Sequence, residues 1–312
     1  MGSLTTANAE RVEKGRSSGI PATRKTRSQA QLAYLFLAPA LLLVLLVTLI
    51  PVGYALTLSV LRTDYLDVVG FAGIEHYLRF VTESLGQRNI IASVIYIVGS
   101  LLLAISLGLG LALLLNREFR FRTLFRTLLI LPLVITLVAT ALLWNWLYNP
   151  QYGPINFLLR QFFGITINFL AQPNWAMSSM ILANVWQSYP YAMILLLAGL
   201  QTIPTDVLEA ASIDGASRWE QFLTIKLPLL QKHILVVTVL LGINYLNQVT
   251  LPLILTGGGP LNTTYVMSVR VYNEAFSFYH MGFASAVAVV MLLLNLMFTL
   301  IYLRVLRRET VY

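Results

Sequence analysis

Asn184, Gln187, Ser188 and Tyr191 recur at helical spacing along one uncharged stretch of the chain, and Asn244, Tyr245 and Gln248 recur along another, with Asn247 nearby. Residues three and four apart share a helix face, so each set paints a stripe of amides, hydroxyls and tyrosine rings on an otherwise apolar segment. Such groups donate and accept hydrogen bonds without carrying charge at neutral pH. Their chemistry is recognition of an uncharged, hydroxyl-rich solute, not bond making. No nucleophile–base arrangement accompanies them, and no Gly-rich loop ending in Lys and Ser or Thr is present to cradle a nucleotide. His76, His233 and His280 stand singly at the edges of apolar stretches and suggest neither a metal site nor a proton relay. The stripes also have a plainer reading. Asn, Gln and Ser tie membrane helices to one another at about 0.6 kcal/mol per contact.

The elements that position these residues are set by composition. The chain has 312 residues, 57% of them hydrophobic and only 11% charged, where a soluble domain carries about 25% charged residues. Its mean hydropathy is +0.75. A soluble enzyme core and a disordered polar protein are both excluded, and zero Cys excludes a disulfide scaffold and thiolate-held metals. A bilayer core about 30 Å thick needs roughly 20 apolar residues of helix. Six uncharged stretches of that kind run from Leu32 to Leu61, Ile90 to Leu115, Thr127 to Tyr148, Trp175 to Ile203, Ile234 to Leu255 and Met281 to Leu303. The predicted fold class is therefore all-α, a polytopic membrane protein with six transmembrane helices. Pro51, Pro132 and Pro190 are expected to kink helices, not end them. Polar groups facing lipid are costly, so both stripes should face the bundle interior.

Orientation follows from Lys and Arg, which collect on the cytoplasmic side. Of 21 such residues, only Arg62, Arg79, Arg88, Arg160 and Arg270 fall in outer segments once both termini are placed inside. The net charge of +8 thus reflects topology and contact with anionic membrane lipid, not nucleic acid. Residues 1–30 read as a disordered basic tail, 31–308 as the six-span domain and 309–312 as a short C-terminal tail. The first apolar run is too long for a cleaved signal and reads as a retained anchor. The loose myristoylation pattern from Met1 to Thr6 would add nothing to six spans. The outer segments from Arg62 to Asn89 and from Asn149 to Asn174 are long enough for short interfacial helices, the second centred on Ile155 to Leu170. Trp144, Trp146, Tyr148 and Trp175 suggest an aromatic belt at the outer interface.

One inner segment is more than a connection. About thirty residues separate the fourth and fifth spans, far more than an antiparallel helix pair needs. Thr205 can cap a short helix whose first turns hold Asp206 and Glu209. Gly215 stands where that helix would end through a left-handed residue. Ser217 and Glu220 have capping-box spacing for a second helix, and Pro228 marks entry to the fifth span. Ala210, Ala211 and Ala216 beside Gly215 leave one side smooth enough for another protein's groove. An amphipathic unit lying on headgroups is the alternative.

The run Glu209-Ala210-Ala211-Ser212-Ile213-Asp214-Gly215-Ala216, followed by Ile225-Lys226-Leu227-Pro228, resembles the EAA motif of bacterial ABC-importer permeases at every fixed position. Leu255-Thr256-Gly257-Gly258-Gly259-Pro260 is similar to a turn of the carbohydrate permeases, the maltose and glycerol-phosphate group. The likeness extends over roughly residues 30 to 308 in span count and loop order. It implies the type I importer permease fold in a bacterial plasma (inner) membrane, with the coupling loop at 204–228. Glu209, Ala210, Ala211, Asp214 and Gly215 would meet a cytoplasmic ATPase subunit. It also implies a second permease subunit, two ATPase subunits that bind ATP and Mg, an extracytoplasmic solute-binding protein, and a sugar substrate. This chain itself would hold no cofactor and perform no catalysis. In the maltose-type permeases the pocket positions match Asn184, Ser188, Tyr191, Asn244, Tyr245 and Gln248. Asn184, Tyr191 and Asn244 keep the expected residue type, while Ser188, Tyr245 and Gln248 depart from it. An ion-coupled carrier would place ionisable residues in the membrane, which the six stretches lack. A phosphate-bearing solute such as glycerol phosphate would ask for basic pocket residues, so a neutral di- or oligosaccharide is the expected cargo.

Overall fold

The structure, a computed structural model, describes residues 25–65 and 67–309. The expected N-terminal tail lies outside them as far as residue 24, with Arg11, Lys14, Arg16, Arg24 and the Met1–Thr6 pattern, and so do residues 310–312. The chain divides into two units, residues 1–54 and 55–312. The first is occupied by helix α1 (Lys25–Leu58), whose share of the unit ends at Tyr54. It starts well ahead of the apolar stretch, and its Phe36–Leu58 part is long and apolar enough to cross a membrane. A helix apolar on all sides suits lipid.

In the second unit the last turn of α1 leads into a hairpin that sequence reading had not anticipated. Strands β1 (Leu61–Asp64) and β2 (Asp67–Phe71) pair antiparallel with an irregularity between Arg62 and Thr63. Helix α2 (Glu75–Thr82) follows, as expected for this outer segment. Arg62 pairs with Glu75, and this bond with the guanidinium holds the Glu75 carboxyl below its ordinary range.

Helices α3 (Ser84–Leu115) and α7 (Pro173–Gln201) form the centre of the unit. Along α3, Tyr96, Ser100, Ala104, Gly108 and Ala112 are buried at strict four-residue intervals. Small residues let membrane helices approach closely. At Gly108 the approach is tight enough that a Cβ would lie 2.8 Å from Ala192 Cβ of α7.

The third expected span is broken. Helix α4 (Arg122–Val134) ends and α5 (Leu137–Leu147) begins with a bend of 98°. Pro132 stays inside α4. The break falls at Ile135, which is extended, and at Thr136, whose hydroxyl accepts from the Ala139 amide as an N-cap. The turn comes three residues after the proline, beside the residue that caps the next helix. Helix α6 (Pro154–Phe163) is the short outer helix expected near Ile155. Of the aromatic residues of this side, Trp146 and Trp175 are exposed, while Tyr148 is buried and donates to the Ser179 carbonyl at 3.1 Å, with the Trp144 and Phe169 rings tilted against it.

The fifth expected span is also shifted. Helix α8 (Thr205–Ile213) and helix α9 (Arg218–Gln221) precede a π-helical stretch, Phe222–Lys226, which runs without a break into α10 (Leu227–Asn247). The helix stops at Gln248, which is extended, and α11 (Thr250–Leu255) restarts it. The short helices beyond the two breaks, α5 and α11, pack on each other. Irregular backbone at membrane depth is tolerated where protein buries it or a cavity needs it. Helix α12 (Met267–Phe276) and the last span, α13 (Met281–Glu309), complete the unit. By length and composition the described residues hold five membrane-crossing helices, or six with the bent pair counted as one span.

Candidate functional site

The inner segment folds as a helix, a turn and a helix. Thr205 is the first residue of α8 and not its cap; that place is taken by Pro204, whose side chain has no hydrogen-bonding group to offer. The end of α8 is built as expected. The Ala216 amide donates to the Ala211 carbonyl at 2.9 Å, and the Gly215 amide to the Ser212 carbonyl at 3.2 Å. Those are the two bonds of a Schellman motif, and the residue it places in the left-handed region is Gly215, at φ +84. The capping box at Ser217 is complete: its amide donates to Glu220 Oε2 at 2.6 Å and its hydroxyl accepts from the Glu220 amide at 3.3 Å. Hydrogen bonding by Ser217, its amide above all, holds the Glu220 carboxyl below its ordinary range. Gln221, buried under the turn, donates to Ser212 Oγ at 2.9 Å and to the Ala216 carbonyl at 3.1 Å. That amide clamps α8 to α9.

No residue of α8 is buried. Glu209, Ala210, Asp214 and Gly215 are exposed and Ala211 is half-buried. Ile213 is 86% exposed. Neither Glu209 nor Asp214 has an ion-pair partner among the described residues. The unit is held rigidly from beneath and presents an acid and small side chains outward.

The polar stripes are brought to one level near the middle of the 29-residue α7, but they do not act alike. Ser188 and Tyr245 are buried and hydrogen-bonded to each other at 2.6 Å. Gln248 is buried at the helix break, where its Oε1 accepts from the Tyr96 hydroxyl at 2.6 Å and its backbone carbonyl accepts from Ser268 Oγ at 2.8 Å. Gln187 and Tyr191 are half-buried and Asn244 is exposed. Asn184 is fully buried with both amide atoms unpaired among the described residues. Asn247 accepts from Asn295 of α13 at 3.2 Å.

Sequence reading missed Tyr96, which pairs the Gln248 side chain, and Ser268, which satisfies its backbone carbonyl at the break. Tyr96 sits in the small-residue row of α3, and that row was the available signal. It also missed how the outer turn is pinned: Asn89 Nδ2 donates to the Tyr265 carbonyl at 2.6 Å, and Ser93 Oγ accepts from the Met267 amide at 2.8 Å. The three histidines are not brought together. His76 bonds the Leu61 carbonyl, His280 pairs with Glu274, and His233 lies against Gly199. Among the described residues no three His, Asp or Glu side chains gather as metal ligands.

Comparison with known proteins gives this geometry its setting. The chain is similar to SmoG of Agrobacterium fabrum, a sulfoquinovosyl glycerol transport system permease protein, at 33% identity over 89% of this chain and 91% of that one. It is similar to MalF of Thermococcus litoralis, a trehalose/maltose transport system permease protein, at 34% identity over 89% of this chain and 94% of that one. Its fold matches a chain in the crystal structure of a bacterial alginate ABC transporter in complex with an alginate pentasaccharide-bound periplasmic protein, with TM-score 0.79 and 24% identity, covering 92% of this chain and 98% of that one. The pattern that defines binding-protein-dependent transport system inner membrane components matches residues 104–311. That region takes in the inner helix–turn–helix, both broken spans and both polar stripes, and the chain accordingly belongs to this family of multi-pass inner-membrane permeases.

Proposed function

We propose that this chain is one permease of an ATP-driven importer of neutral di- or oligosaccharides, coupled to its motor through residues 204–228. The observation that carries the reading is α8: a helix fixed by a Schellman turn and a buried glutamine, with no buried residue of its own and an unpaired Glu209 on its surface. A surface organised at that cost in conformational entropy, yet engaging nothing in its own chain, suits a cleft in an ATPase subunit. Two such subunits would bind ATP and Mg, and an extracytoplasmic binding protein would deliver the sugar. The name of the sulfoquinovosyl glycerol relative, whose cargo carries a sulfonate, supports a glycoside but not its neutrality; that of the trehalose/maltose relative supports the substrate class. So does the exposure of Asn244 and Asn247 from the chain, because amides facing lipid are costly and a second permease or a watered pathway would cover them. On this reading Asn184, Gln187, Tyr191 and Asn244 meet sugar, while Ser188, Tyr245 and Gln248 hold the two helices that carry them.

Cysteine labelling tests the motor contact, since the chain has no Cys of its own. Ile213→Cys in the assembled, uptake-active complex should cross-link to an ATPase subunit, and uptake should stop when ATP is depleted. A label that stays accessible in every nucleotide state, with uptake that survives ATP depletion but collapses with an uncoupler, would overturn the proposal.

A further inference from the structure

A cavity of about 730 Å³ lies where the inner end of α3 meets α9 and the π-helical stretch. Its volume is in the range of ligand sites, and neither the coupling loop's outward face nor the polar stripes use it. Its composition changes with depth. The wall supplied by α3 is Leu109, Gly110 and Leu113, the last membrane-embedded turns of that helix. Gly110 is exposed, and a Cβ added there would meet nothing within 4 Å, so the wall is an open groove along a spanning helix. The rim carries Arg117, Arg218 and Lys226. None of these three cations has a carboxylate partner among the described residues. Trp219, 67% exposed and stacked on Phe222 at 5.4 Å, stands beside them, in the position aromatic rings take at the membrane–water boundary.

We propose that this cavity binds an anionic glycerophospholipid of the cytoplasmic leaflet, its phosphate held by Arg117, Arg218 and Lys226 and its upper acyl chain laid along Gly110. The distance supports an amphiphile: Gly110 lies five residues before the end of α3 at Leu115, about 7.5 Å of helix at 1.5 Å per residue, and Arg117 lies beyond that end, which separates headgroup depth from hydrocarbon depth. Basic pockets between spans on this side of a membrane suit such headgroups. A soluble protein would satisfy the rim but has no means of filling a groove that continues into lipid. Because Arg218 and Lys226 belong to the segment joining the coupling turn to α10, a bound lipid would tie that segment to α3.

The test uses the whole transporter in nanodiscs of phosphatidylcholine containing phosphatidylglycerol, with retained lipid identified by native mass spectrometry after detergent release. The unaltered complex should keep phosphatidylglycerol in preference to phosphatidylcholine. The triple variant R117Q/R218Q/K226Q should lower that retention on the order of a hundredfold. Gly110→Leu fills the groove without changing charge, at a position open enough to accept it, and should lower retention roughly tenfold. Equal lipid retention in the triple variant would overturn the proposal. So would loss in the triple variant with none in Gly110→Leu, which would mean diffuse attraction to the surface. Displacement of the lipid by millimolar inorganic phosphate would mean a free-anion site, and cryo-electron density for another subunit in the cavity would mean a protein contact; either result ends the proposal.

Discussion

The hydroxyl of Tyr245 lies 2.6 Å from that of Ser188, and the Ser188 hydroxyl lies 2.7 Å from the Asn184 carbonyl, to which it donates. Since Ser188 spends its one proton on that carbonyl, Tyr245 is the donor in the contact between α10 and α7. Both side chains are buried, and the bond closes within the chain. Tyr245→Phe therefore removes one hydrogen bond and no volume. It should cost about 1 kcal/mol of stability, read as a lower melting temperature in detergent, and leave the KM for uptake unchanged. Ser188→Ala should cost more, about 1–3 kcal/mol, because it strands a buried phenol.

Asn244 and Gln187 differ from that pair. Neither bonds a partner across helices among the described hydrogen bonds, and neither is buried. Their replacement by Ala should change stability by no more than about 0.5 kcal/mol. If each gives up one hydrogen bond to sugar, the KM for uptake should rise roughly fivefold with the melting temperature unmoved. A melting-temperature loss without a KM change would assign them to helix packing instead.

Gly215 adopts φ +84 with open space around it, so its requirement is conformational and not steric. Gly215→Ala should strain the left-handed residue by about 1–2 kcal/mol and loosen the Schellman turn. Gly215→Asn, a residue that tolerates this region, should recover much of the loss. Measured as ATP hydrolysis per sugar transported, the Ala variant should waste ATP and the Asn variant should approach the parent. Glu209→Gln should uncouple in the same assay with no loss of stability, its carboxylate being exposed and unpaired within the chain.

The legible parts of this molecule are those fixed by neighbours in sequence. The capping box at Ser217, the left-handed Gly215 and the short helix near Ile155 all follow from local rules, and all are present. The apolar runs announced the spans because the bilayer sets their length. The break at Ile135 rests on a single local cap, Thr136, that an uninterrupted apolar run disguised; the break at Gln248 was not legible, since what permits it is remote. Gln248 can leave the helix because Tyr96 and Ser268, far away in sequence, take up its groups. Burial was hidden for the same reason: periodicity put Ser188 and Asn244 on polar faces, but only packing decides that one is enclosed by α10 and the other is exposed. The β1–β2 hairpin, with strands of four and five residues interrupted by Arg62, Asp64 and Asp67, offered no alternating run long enough to announce it.

The outer end holds the most enclosed charges among the described residues. Arg270 is 4% exposed and pairs with Glu274 at 2.8 Å, with Glu83 3.6 Å away. Its guanidinium also sits 5.3 Å from the centre of the Phe283 ring, which Arg79 approaches to 4.7 Å. This ties α12 to α2 and α13. Arg270→Met leaves Glu274 buried with only His280 beside it, and an uncompensated buried charge costs about 3–5 kcal/mol. Replacing both partners by apolar residues of similar volume is often neutral or stabilising, so Arg270→Met with Glu274→Leu should melt well above Arg270→Met alone. Thermal unfolding of the three proteins in one detergent decides the matter: a double variant no more stable than the single would show that Arg270 acts through the aromatic rings and not through Glu274.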